Sequence, residues 1–147
     1  MEIAILLGWI GIFCPVAFGA IGSTLGCSIA GQAACGAMLD TESGHGRFVG
    51  LSALPSSQVV LGIVVMFTLN RTVNAENGYG LFAIGVLTGL ALLFSAWYQG
   101  KSVSAAIYAA KNKPDILGLA IAPAAIVEGF AVFAFVFALV ISGNLPN

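Results

Sequence analysis

Charged side chains are scarce in this chain of 147 residues. Lys and Arg together number five and Asp and Glu six, so 7% of the residues are charged, against about 25% in soluble domains. A water-soluble domain cannot cover its surface with so few charges, and the sequence therefore predicts a membrane protein. The net charge of −1 also excludes a basic face that would bind nucleic acid.

Cysteine and histidine are scarce as well. Cys14, Cys27 and Cys35 lie in one apolar stretch and lack the spacing of metal ligands, so we interpret them as small packing residues. The single histidine, His45, lies near acidic residues in a polar segment. No Ser/His/Asp or Cys/His set that would support hydrolysis is found, and we predict a protein that is not an enzyme and has no organic cofactor.

The few charges leave four long apolar stretches between them. Three stretches carry no formal charge for 37, 23 and 24 residues, namely those between Glu2 and Asp40, Arg47 and Arg71, and Glu76 and Lys101. The fourth contains one acid, Glu128. Because a span needs about 20 apolar residues, and these stretches do not alternate as barrel strands do, the sequence predicts an all-α membrane protein. The four transmembrane helices are predicted near residues 3–38, 49–70, 78–110 and 116–142.

The two halves of the chain resemble each other. An offset of 74 pairs Gly11 with Gly85 and Gly26 with Gly100, and an offset of 68 pairs Pro55 with Pro123 and Val59 with Val127. We therefore predict two tandem helical hairpins in the same orientation, over residues 1–74 and 75–147, the second of which carries Glu128.

The first and third helices carry small residues at four-residue spacing, whereas the second and fourth are bulkier. These small residues are Gly22, Gly26, Ala30 and Ala34 in the first helix, and two separate runs in the third, Gly85 and Gly89 and then Ala96, Gly100 and Ser104. Rows of this kind let membrane helices approach closely. Thin inner and bulky outer helices would suit a homo-oligomeric ring, and an ordinary four-helix bundle suits the same texture equally well.

Glu128 is the acid that most needs an explanation. An ionised carboxylate at the centre of a span costs at least about 2.5–3.5 kcal/mol, so such acids usually have a function. A helical rise of 1.5 Å per residue places Glu128 roughly 24 Å and Gln99 roughly 20 Å from the turn near residue 112. The same rise places Ser57 and Gln58 roughly 21–22 Å from the turn near residue 43. We therefore expect four polar side chains from three helices at one membrane depth.

These residues resemble those of a known family. The duplicated hairpin, the stretch Leu54-Pro55-Ser56-Ser57-Gln58, the stretch Gln99-Gly100-Lys101 and the single glutamate in the last helix are similar to the rotor-ring proteolipid of V-type ATPases, also called the K or c subunit. In that arrangement two hairpins are fused and only the second keeps its carboxylate. Val60 stands at the position that matches Glu128 in the first hairpin.

The resemblance implies a ring of identical subunits, turned by ATP hydrolysis in a separate soluble head and connected to it by a central stalk subunit. Each Glu128 would carry one cation past a stator subunit that supplies a membrane arginine. By resemblance to sodium-coupled members, the ion would be held by the backbone carbonyl of Leu54 and by the side chains of Ser57, Gln58, Gln99 and Glu128. Two residues depart from the family pattern: Ser57 stands in place of threonine, and Leu61 in place of a tyrosine that bonds the carboxylate.

The donor chemistry favours Na⁺ over H⁺ as the cargo. A hard metal ion needs several oxygen ligands, whereas a proton needs one carboxylate in an apolar pocket. An H⁺-carrying rotor subunit stays an alternative, and so does a small four-helix secondary transporter that uses one membrane glutamate. Arg47, Lys111 and Lys113 adjoin the first and third connections, which predicts that both termini face away from the cytoplasm. We expect the host membrane to be a prokaryotic plasma membrane.

Overall fold

A computed structural model describes residues 1–146 as an all-helical fold with four helical spans. Its helices are α1 (Glu2–Leu39), α2 (His45–Ser52), α3 (Ser57–Leu69), α4 (Gly78–Asn112), α5 (Leu117–Ala120) and α6 (Ala122–Ser142). By length and composition, four stretches could cross a membrane: Glu2–Leu39, His45–Leu69, Gly78–Asn112 and Pro114–Ser142. The predicted fold class is confirmed. The last residue of the predicted second hairpin, residue 147, lies outside the described residues.

The second and fourth spans are interrupted near their repeat-equivalent prolines. In the second span a 3₁₀ turn, Leu54–Ser56, separates α2 from α3 and contains Pro55. Proline has no amide to continue the α-helical bonding, so the predicted single helix over 49–70 is divided there. In the fourth span α5 ends before Ile121, and Pro123 lies in the first turn of α6, where its missing amide costs nothing.

The two long helices, α1 and α4, pack against each other through glycines. A Cβ atom at Gly22 would lie 2.6 Å from the Cα of Leu93, and one at Gly89 would lie 2.8 Å from the carbonyl oxygen of Cys14. Only glycine allows backbones to approach so closely. At two levels of this contact, repeat-equivalent glycines face each other, Gly11 against Gly85 and Gly26 against Gly100. The two hairpins therefore stand side by side at the same height.

The outer helices leave much apolar surface exposed. Phe130, Phe133 and Phe137 on α6 are 62–65% exposed, as expected for side chains that face lipid. Buried apolar side chains form two clusters, one towards each end of the helices. The first contains Ala30, Ala33, Ala34, Ala37, Phe48, Val103, Ile107, Ala110 and Ala124. The second contains Ile12, Val65, Leu69, Leu81 and Ala138. Between these clusters lies a layer of buried polar side chains.

Charged side chains connect the elements at both ends of the fold. At the end near the first and third connections, Lys111 Nζ on α4 lies 2.5 Å from Asp40 Oδ2, just after α1. At the other end, the Arg71 guanidinium donates to the carbonyls of Ser142 and Leu145, at 3.1 and 3.2 Å. A cation at the last carbonyls of a helix is favourable for α6, because these groups have no partner within the helix.

Candidate cation-binding site

Glu128 lies on α6 and is half-buried within the fourth span. The other five acidic residues of the chain lie at helix ends or in connections: Glu2, Asp40, Glu42, Glu76 and Asp115. The Oε2 atom of Glu128 accepts a hydrogen bond of 3.1 Å from Nε2 of Gln99 on α4. The carboxylate in the membrane therefore has a polar partner on a neighbouring helix.

Two buried glutamines extend this contact to a third helix. Gln58 on α3 is completely buried and Gln99 is 1% exposed. Nε2 of Gln58 donates to Oε1 of Gln99 at 2.9 Å, and the Ser57 hydroxyl donates to Oε1 of Gln58 at 3.2 Å. Ser57, Gln58, Gln99 and Glu128, which the helical rise places at one depth, thus form one hydrogen-bonded row across α3, α4 and α6.

The local sequence explains how this row is placed. The 3₁₀ turn that contains Pro55 separates α2 from α3. Ser57 and Gln58 follow this turn directly as the first two residues of α3. Gly19 on α1 lies directly against the backbone of Gln58, since a Cβ there would be 3.0 Å from the Gln58 carbonyl oxygen. Because Gly19 has no side chain, α3 packs close to α1, and the Gln58 side chain is near enough to contact α4.

The predicted backbone ligand, the carbonyl of Leu54, accepts a hydrogen bond from the amide of Ser57 within the 3₁₀ turn. The Leu54 side chain is 36% exposed. The structure therefore joins four of the five predicted site residues in one network and gives the fifth a local backbone partner. Leu61, which stands in place of the tyrosine that bonds the carboxylate in some family members, is half-buried on α3. In this structure Gln99 donates a hydrogen bond to the carboxylate.

Ser95 belongs to the same network and was missed from the sequence. Its hydroxyl donates to the carbonyl of Val127 at 3.0 Å and accepts from Nε2 of Gln58 at 3.4 Å. The spacing of four residues from Gln99 was the available signal, because residues one turn apart share a helix face. Gln99 also donates to the carbonyl of Ala124 at 3.4 Å.

The oxygen atoms of this site suit a hard cation. A carboxylate, two amide oxygens and a hydroxyl are the ligand types that such ions prefer. Each amide oxygen has two acceptor sites, of which the present hydrogen bonds use one. Within residues 1–146, no three His, Cys, Asp or Glu side chains come together as a metal-binding group. The site therefore offers one negative charge and several neutral oxygens.

Comparisons with known proteins show which family this chain resembles. A family model that describes the C subunit of ATP synthase matches the chain twice, over residues 10–69 and 82–141. These two ranges fit the predicted tandem hairpins.

Two curated relatives align over most of this chain. The V-type sodium ATPase subunit K of Enterococcus hirae is 30% identical over 131 residues, which are 86% of this chain and 84% of the relative. The A-type ATP synthase subunit K of Methanocaldococcus jannaschii is 27% identical over 137 residues, which are 93% of this chain and 62% of the relative. The chain thus spans less than two thirds of the length of that second protein.

Proposed function

Because the chain belongs to the family of ATP synthase C subunits, we propose that it is a subunit of a membrane rotor ring, which binds a cation and carries it across the membrane during ATP-driven rotation. The observation that carries this proposal is the half-buried carboxylate of Glu128, joined to Gln99 and Gln58 from two other spans. In this role the protein catalyses no reaction itself. Its residues hold an ion and release it.

Sodium is the cargo that the donor set favours. Glu128 would neutralise the charge of the ion, and Gln58, Gln99 and Ser57 would replace its water with neutral oxygens. The relative from Enterococcus hirae, which is part of a sodium ATPase, supports this choice. We include the Leu54 carbonyl in the proposed ligand set because it lies in the irregular turn before Ser57, where a backbone oxygen is less constrained than in a helix.

Binding would require a change in the Gln99 amide. Its amino group donates to Glu128, while its oxygen accepts from Gln58. A cation on the carboxylate would be repelled by the amino group and attracted by the oxygen. The Gln99 oxygen has a second acceptor site, so a rotation of the amide that keeps the hydrogen bond from Gln58 would bring this oxygen towards the ion and move the amino group away from Glu128.

The ring and its surroundings follow from the same proposal. Identical subunits would pack side by side around a central axis, each formed from the hairpins 1–74 and 75–147. A stator subunit with a membrane arginine would displace the ion from Glu128, and a central stalk subunit would transmit rotation. The cations Arg47, Lys111 and Lys113 lie at one end of the spans, which supports a cytoplasmic position for that end and a non-cytoplasmic position for both termini. The host membrane would be a prokaryotic plasma membrane.

Carbodiimide labelling of the purified protein tests the site and the cargo together. The reagent modifies protonated carboxyl groups, and mass spectrometry locates the modified residue. The labelling is measured over a pH series in sodium or in potassium at the same ionic strength. We expect Glu128 to be labelled and sodium, but not potassium, to suppress the reaction. Labelling that neither ion changes would make H⁺ the cargo, and an unlabelled Glu128 would contradict the site itself.

A further inference from the structure

Ser95 joins three helices at a single oxygen atom. Its side chain is 8% exposed, and its hydroxyl donates to the carbonyl of Val127, the residue before Glu128. The same oxygen accepts a hydrogen bond from Gln58 on α3. A hydroxyl of α4 therefore contacts both the backbone beside the carboxylate and one of the proposed amide ligands.

We propose that Ser95 is a positioning residue of the cation site, which fixes the orientation of the Gln58 amide and the position of α6 on α4. This inference rests on the proposed function. A hydroxyl has one proton, and that proton is donated to Val127. Ser95 can therefore accept from the amino end of the Gln58 amide and cannot donate to its oxygen. The oxygen of Gln58 is thereby directed to Ser57, on the side where a cation needs an oxygen ligand.

The two repeats show how Ser95 sets the position of α6. In the first repeat the Val59 amide donates to Ser23 on α1 at 3.3 Å. The repeat offsets place Val127 at the position of Val59, and Trp97 at the position of Ser23. The indole of Trp97 is too large for α6 to pack at this position as α3 packs at Ser23. The backbone of Val127 instead contacts Ser95, where its carbonyl accepts a hydrogen bond. Since Ser95 and Gln99 share a helix face, this position brings α6 to Gln99.

Substitutions of Ser95 test the inference in the purified full-length protein. The variants are Ser95→Ala, which removes the hydroxyl, and Ser95→Thr, which keeps it. Ser95 lines an open groove of about 270 Å³, the space available to the larger threonine side chain. Ser102→Ala is the matched control, because the Ser102 hydroxyl donates to the Tyr98 carbonyl of its own helix. Two readouts are taken: the sodium concentration that half-protects Glu128 from carbodiimide, and the pH of half-maximal labelling without sodium.

We expect Ser95→Ala to raise the half-protecting sodium concentration about 5- to 10-fold, the effect of one or two neutral hydrogen bonds. Ser95→Thr and Ser102→Ala are expected to stay within about 2-fold of the parent protein, since the network hydrogen bonds are retained. The effect of Ser95→Ala is also measured in a Gln58→Ala variant, as the logarithm of the fold-change. If Ser95 acts through Gln58, this effect should be less than about half of the effect of Ser95→Ala in the parent protein.

Unchanged readouts in Ser95→Ala, or a failure of Ser95→Thr to rescue binding, would overturn the inference as a whole. An effect equal in the two Gln58 backgrounds would overturn the role of Ser95 in orienting Gln58. If Ser95→Ala does not assemble, Ser95→Cys provides the same comparison with a side chain of similar shape and a weak donor. If sodium does not protect Glu128 of the parent protein from carbodiimide, that result contradicts the proposal that sodium is the cargo and leaves the role of Ser95 to be tested. The pH of half-maximal labelling would then test Ser95 by itself.

Discussion

Removal of the Gln99 side chain should weaken cation binding more than it weakens the fold. Gln99 donates to Glu128 at 3.1 Å and to the Ala124 carbonyl at 3.4 Å, and it accepts from Gln58 at 2.9 Å. Gln99→Ala removes all three hydrogen bonds. Gln58 keeps its contact with Ser95, so the substitution leaves no amide without a partner.

The size of the effect follows from the proposed role of the amide oxygen. A hydrogen bond to a charged group contributes about 1.5–3 kcal/mol, and we take the loss of one amide oxygen from a cation as similar in size. Since about 1.4 kcal/mol is a tenfold change in affinity, Gln99→Ala should raise the half-protecting sodium concentration about 10- to 100-fold. The helix contacts of α4 through its glycines are untouched, so we expect the helical content to be retained.

The assay is sodium protection of Glu128 against carbodiimide, with circular dichroism as the check on folding. Gln32→Ala is the matched control, because Gln32 is an exposed glutamine on α1 that donates to Ser28 at 3.4 Å. Gln32→Ala should bind sodium as the parent protein does. An unchanged sodium affinity in folded Gln99→Ala would remove Gln99 from the proposed ligand set and refute the reasoning above.

Three further predictions concern the carboxylate, the helix contact and the end of α6. Glu128→Gln should abolish ATP-driven sodium uptake into vesicles while the protein still assembles, because an amide cannot neutralise the ion; residual uptake would contradict this. Gly26→Ala should lower the free energy of unfolding by about 1–3 kcal/mol, since the added Cβ would lie 2.6 Å from Pro55, whereas Gly36→Ala, with nothing within 4 Å, should not. Arg71→Ala should cost about 1–2 kcal/mol of stability in thermal unfolding, through its lost hydrogen bonds to α6, and an equal loss in exposed Lys113→Ala would refute that cause.

The number of spans was predictable because it depends on the local composition of the chain. Charge-free length sets the number of spans. The second helix was predicted as one element over 49–70, and the structure divides it at Pro55, whereas Pro15 lies inside α1 without dividing it. The second span was predicted to begin at residue 49 and begins at His45. The length of the apolar stretch does not predict that α2 begins at His45, because the first turn of this helix is polar and lies outside that stretch.

The depth of the polar residues was also predictable, because the helical rise is constant along every span. That argument brought Ser57, Gln58, Gln99 and Glu128 to one level, but depth cannot say which face a neighbouring helix occupies. Ser95 was missed for this reason. Most hydroxyls in membrane helices bond a carbonyl of their own helix, as Thr68 and Ser102 do, and Ser95 looks the same in the sequence.

The position of α6 on α4 explains why the site needs both hairpins. The first hairpin contributes Gln58, and the second contributes Gln99 and Glu128. In the first hairpin the positions equivalent to Gln99 and Glu128 are Leu25 and Val60, which are 40% and 57% exposed. That hairpin therefore has neither the carboxylate nor the amide that α4 supplies, and the second hairpin has no equivalent of Gln58. Fusion of the two places the complementary groups in one chain, at a fixed ratio of one proposed site to two hairpins.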